Sequence, residues 1–170
     1  MPYDSLAVAN YFIERGGGTV NPMKVQKLVY FAHGWNLAIS DQPLLRERIE
    51  AWKYGPVVPQ LYHELKEFGS RPIPVPVTVL RFSGARPVTV TPNIAQDASD
   101  DIADTKGLLD RVWEVYGGYS AVKLSNATHV PGSPWDITWK QCGGTHHAVI
   151  DDNLIKEDFK KRLEKANAKQ

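Results

Sequence analysis

NPMKVQKLVYFAHGW, residues 21–35, decides the fold of this 170-residue chain. Asn21-Pro22 opens a helix, because asparagine suits the capping position and proline fits the first helical residue. The helix should run to Ser40-Asp41. At about 100° per residue, Val25, Leu28, Val29, Phe31, Ala32 and Trp35 share one broad apolar arc. Gln26, Tyr30 and His33 fall on the opposite side at i, i+4 and i+7, with Lys27 beside them. A solvent-facing side would carry Glu and Lys, whereas this one carries hydrogen-bonding groups with little excess charge. Two uses fit: a central helix packed on both sides with its polar groups satisfied by neighbours, or a ligand or catalytic site on that face. Lys24 lies inside the apolar arc, where a cation needs a partner. A structural ion pair is expected, with a carboxylate from the acidic stretch 97–104.

Working outward, Asp4 or Ser5 can cap a first helix through Ile13, closed by Gly16-Gly17-Gly18. Residues 46–54, RERIEAWKY, alternate well enough for a short strand. Gly55-Pro56 then turns the chain, and Val58, Leu61, Leu65 and Phe68 mark the inner face of a third helix ended by Gly69. Over 71–93 prolines cluster and β-branched residues replace helix formers. VTVLRF and PVTVTP around Ser83-Gly84-Ala85 read as a β-hairpin, with a long extended loop as the alternative. Helix resumes near Ser99-Asp100, a short helix follows Ser120, Ser133-Pro134 repeats the cap-plus-proline device, and a last helix spans about 152–168. The expected architecture is mainly α (α+β): a single compact domain over 1–170, with about six helices and a small antiparallel strand-and-hairpin element.

Net charge is +1, so no global field favours nucleic acid or a membrane surface. The N-terminus carries an early acid and no long apolar run, so no signal peptide is read, and no stretch approaches a membrane span. Cys142 is the only cysteine, which fits a reducing cytoplasm.

Catalytic and cofactor chemistry finds little footing. Structural zinc needs spaced ligand pairs, and His146-His147 beside a lone Cys142 does not supply them, so no metal is expected. Cys142 as a nucleophile would need His129 or His146 with Asp136 assembled around it. The glycines at 16–18 lack the lysine placement and preceding strand of a phosphate loop, so no cofactor is expected. The basic C-terminal helix is diluted by Glu157, Asp158 and Glu164, which argues for a solvated face over nucleic-acid binding.

The aromatic residues are more informative. AWKYGPVVPQLY, 51–62, sets Trp52, Tyr54, Gly55, Pro56, Val57 and Tyr62 around a stiff corner. THVPGSPW, 128–135, does the same with Thr128, His129, Pro134 and Trp135. Stiff loops that display aromatics lose little entropy on binding, so both corners are candidate partner surface. The alternative is that they pack internally against the polar side of the second helix.

NPMKVQKLVYFAHGW, IEAWKYGPVVPQLYHEL and WEVYGGYSAVKLSNATHVPGSPW, in that order, resemble the signature blocks of the Panacea antitoxin domain family, which includes GepA-like phage-associated proteins and SocA-like proteolytic adaptors. The resemblance makes Lys24, Gln26, Lys27, Tyr30, His33 and Trp35 a signature face of the second helix. It implies a non-enzymatic cytoplasmic antitoxin, bacterial or phage-encoded, that binds and neutralises a protein toxin encoded beside it. Delivery to a Clp-type protease is a second route implied by the adaptor branch. The proline-rich span departs from the family's more minimal central region. The alternatives from other classes are a small hydrolase-like enzyme using Tyr30, His33 and His129, and a DNA-binding regulator.

Overall fold

The computed structural model describes residues 2–96, 102–144 and 147–169. Helix α1, Ser5–Gly16, begins where Asp4 accepts the Leu6 amide at 2.8 Å, and Gly17 ends it in the left-handed region. In α2, Pro22–Ser40, Asn21 Oδ1 accepts the Lys24 amide at 2.9 Å. Asp41 closes that helix at φ 58°, a conformation rare outside glycine but tolerated by aspartate. Every residue from 25 to 34 is buried, so α2 has protein on both sides.

Strands β1, Glu50–Trp52, and β2, Gly55–Val57, form a tight antiparallel pair, followed by α3, Pro59–Leu65, and a 3-10 turn at Lys66–Phe68. A second hairpin pairs β3, Val79–Ser83, with β4, Arg86–Val90. Then come α4, Ile102–Tyr116; α5, Ala121–Thr128; α6, Pro134–Gln141; β5, Ala148–Val149; and α7, Asp152–Ala168. The chain is mainly α, with seven α-helices among the described residues, one more than expected. Ser99-Asp100, the expected cap of α4, lie outside the described residues.

One reading needs correction. The first strand is three residues long rather than spanning 46–54, and its other edge is paired by the unforeseen β5, giving the order β2-β1-β5. A two-residue strand is too short to leave a period in the sequence. Lys24 was expected to pair with a carboxylate of 97–104; residues 97–101 lie outside the described ones, and among the described residues its partner is a carbonyl. Its Nζ donates to the Gly117 carbonyl just past the end of α4 and lies 5.6 Å from the centroid of the Trp113 ring. Unpaired carbonyls at a helix C-terminus carry partial negative charge and attract a cation. Burial pushes the Lys24 pKa down.

Helix α2 is the element around which the others assemble, contacting α1, α3, α4, α5, α7 and β2. It meets α7 tightly at Gly34, where an added β-carbon would sit 2.4–2.6 Å from the Phe159 ring. Phe159 is fully buried, with its ring centroid 5.9 Å from Tyr30, 5.9 Å from Phe31 and 5.2 Å from Trp35. One cluster of buried apolar side chains runs from Tyr3 through α2 to Phe159.

The β3–β4 hairpin stands beside this core and is pinned at its base. Buried Asn10 donates to Val77 O at 3.1 Å and Pro92 O at 2.9 Å, and accepts the Val77 amide at 2.7 Å. Arg81 adds ion pairs to Glu64 at 2.8 Å and Asp4 at 3.2 Å. Among the described residues no helix is long and apolar enough to cross a membrane.

Candidate partner-binding site

The two aromatic corners meet, one in front of the other. Behind the β1–β2 turn, Trp135 Nε1 donates to Trp52 O at 2.6 Å, Ser125 Oγ donates to Tyr54 O at 2.8 Å, and the His129 ring lies 4.0 Å from that of Trp135. Thr128, Pro134 and Trp135 are buried. Trp135 and Ser125 thus hold the β1–β2 turn from behind. Gly55 is required there, since its φ is 117° and a β-carbon would lie 2.9 Å from both Lys27 Cε and Thr128 Oγ1.

In front, the structure brings Trp52, Tyr54, Val57 and Tyr62 together with the start of α2. Gln26 acts as a substitute strand for β2, accepting the Val58 amide at 3.0 Å and donating to Val58 O at 3.1 Å. A cleft of about 440 Å³ lies between α2, α3 and the β1–β2 turn, lined by Gln26, Lys27, Trp52, Tyr62 and neighbours. Tyr62 meets the Trp52 ring edge-on at 4.9 Å, and His147 stacks on it at 4.4 Å. From sequence, His147 was weighed as a metal ligand; the pairing of β5 with β1 carries it to Trp52. Tyr54 is 62% exposed and Tyr62 44% exposed, so the cleft opens through an aromatic rim.

Lys27 is 1% exposed, and Pro56 O, at 3.1 Å, is its one hydrogen-bond acceptor among the described residues. Burial pushes its pKa down to about 8. It faces no counter-charge among the described residues.

The rest of the α2 polar face is tied up inside. Tyr30 is buried against Phe31 and Phe159, and burial pushes its hydroxyl pKa up. His33 accepts the Leu45 amide on Nδ1 at 3.4 Å, which leaves Nε2 to donate to Asp152 at 2.9 Å, in the first turn of α7. Trp35 Nε1 donates to Tyr116 at 3.1 Å. His33 and His129 bond to separate neighbours and Tyr30 packs among aromatic rings, so among the described residues the three form no shared polar cluster of the kind the hydrolase alternative requires. The His33→Ala variant should lose about 1–3 kcal/mol through the partners left unsatisfied, read by thermal or denaturant melts. Function should fall in step with stability. Normal melting with complete loss of function would make His33 a site residue instead.

Asp136 binds the Gly132 amide and Lys140, and Cys142 Sγ donates to Trp139 O at 3.3 Å. No group of three or more metal-ligating side chains occurs among the described residues, and His146 lies outside them.

A second exposed feature is the β3–β4 hairpin. Leu80 and Phe82 lie opposite Thr89 and Pro87, all on one face, and are 58% and 70% exposed. On the other face Arg81 anchors the hairpin to Glu64 and Asp4. Sequence reading placed the hairpin but not its apolar face, because which side a two-stranded ribbon turns to solvent depends on what it packs against.

An α2-centred fold with two aromatic corners built from the signature blocks defines its class. The chain belongs to the SocA-like antitoxin, Panacea-domain family, whose model matches residues 25–136. Among individual proteins it is similar to Antitoxin SocA of Caulobacter vibrioides (strain NA1000 / CB15N), at 31% identity over 163 residues, covering 92% of this chain and 82% of that protein. No solved structure matches.

Proposed function

We propose that this protein neutralises a cognate protein toxin by binding it directly, with the outer face of the β3–β4 hairpin as a principal contact. The observation that carries this reading is the pair Leu80 and Phe82, large apolar side chains held in solvent on a hairpin that is firmly anchored from behind. Exposed apolar groups on a pre-ordered element bind with little loss of entropy. Membership in an antitoxin family supports a toxin as the occupant. A standard interface of roughly 1,200–2,000 Å² would extend beyond the hairpin onto the body.

The test is co-expression with the product of the adjacent gene and a count of surviving cells. The double variant Leu80→Asp/Phe82→Asp should melt within about 0.5 kcal/mol of the parent, as surface substitutions do, yet lose growth rescue and the complex on gel filtration. Full rescue by that variant would remove the hairpin from the interface. Repeating the assay in cells lacking the Clp-type protease separates occlusion, which survives, from proteolytic delivery, which does not.

A further inference from the structure

Lys27 presents an unresolved electrostatic situation. A buried ammonium normally has a paired carboxylate or a full set of acceptors, because desolvating it otherwise costs several kcal/mol. Here one carbonyl is its whole complement among the described residues. The cleft that Lys27 lines also carries Lys53 and Lys66, and no aspartate or glutamate. Beside it, the buried indole Nε1 of Trp52 has no hydrogen-bond partner among the described residues. A buried ammonium with one acceptor and a buried indole N–H with none, both in one cleft, point to an acceptor that arrives from outside.

We infer that this cleft receives a carboxylate carried by a peptide segment of a protein partner, with the anion beside Lys27 and Trp52 and the apolar stem against Tyr62 and Met23. Charge complementarity selects the anion, since every ionised side chain lining the cleft is a lysine. The aromatic walls select against a free, strongly hydrated anion such as phosphate. The rim selects a peptide: Tyr54, Tyr62 and Met23 are exposed and continue the cleft onto the surface, where a ligand longer than one side chain would lie. Strand addition at β2 is not the mode, because Gln26 already bonds the Val58 backbone at that edge.

This site is separate from the hairpin, and its test uses no toxin, so either reading can fail alone. Short N-acetylated peptides would be titrated into the full chain while the Trp52 indole N–H resonance is followed by NMR. One pair ends in Leu-Phe with a free carboxylate or an amide; a second pair is amidated and carries an internal Phe-Glu or Phe-Gln. A charge-assisted hydrogen bond should give at least one acid form an advantage of about tenfold over its neutral twin, with a shifted Trp52 signal. The pair that shows the advantage tells a chain terminus from an acidic side chain. Lys27→Met, unbranched and of similar length, should fold and erase that advantage. The inference is overturned if neutral twins bind equally, if no peptide shifts Trp52, if inorganic phosphate displaces the acid peptide at equal concentration, or if Lys27→Met keeps the preference.

Discussion

Replacing Phe159 by alanine should lower stability by about 3–5 kcal/mol, a large share of the total for a domain of this size. The ring is fully buried where α7 crosses α2, and it touches the rings of Tyr30, Phe31 and Trp35. Arg162 lies over its other side, with the guanidinium carbon 4.7 Å from the ring centroid. Removal leaves a cavity that neighbouring aromatics cannot fill without leaving their own contacts. A guanidinium melt would read the change. A loss under about 1 kcal/mol would mean that α7 is peripheral rather than part of the core. The same contact explains Gly34. Alanine there should damage the native chain, although alanine favours helix by about 1 kcal/mol, because its β-carbon meets the ring. In the Phe159→Ala background that penalty should disappear, a coupling that a double-mutant cycle measures.

The second large effect is expected at Asn10. Its amide makes three hydrogen bonds to the two arms of the hairpin, at Val77 and Pro92, in a position only 3% exposed. Asn10→Ala strands one amide and two carbonyls, each costing about 1–3 kcal/mol unless water enters. The hairpin lies at the surface and water will reach part of it, so a net loss of about 2–4 kcal/mol is expected. The loss should be local. Hydrogen exchange over 77–92 should quicken while the α2 amides stay slow, and toxin rescue should weaken because the hairpin no longer holds its pose. Uniform destabilisation of α2 and the hairpin together would show instead that Asn10 supports the whole core.

Asn10 also marks the limit of what could be read in advance. Its helix was legible from Asp4 and the closing glycines, yet nothing in SLAVANYFIERG tells an amide that bonds distant backbone from one that faces solvent. The bounds of α2 were legible because caps act within a few residues: Asn21 bonds Lys24, and Pro22 fits the first turn. The β3–β4 hairpin was legible for the same reason, with Ser83-Gly84-Ala85 between β-branched runs.

From the local chemistry of its residues, then, this chain determined a mainly helical fold and its principal boundaries, while its three sequence blocks carried the family resemblance. Tertiary structure alone decided which polar groups became structural and which stayed open. Lys24 found a helix-terminal carbonyl, His33 found Asp152 119 residues away, and Trp135, a candidate for partner surface, packed behind the β1–β2 turn. Lys27, identical in type to Lys24 and three residues on, was left in an aromatic cleft with a single acceptor among the described residues. The physical reason is range: caps, turns and helical periods depend on neighbours in sequence. Desolvation and charge pairing depend on whatever the completed fold brings within a few ångströms.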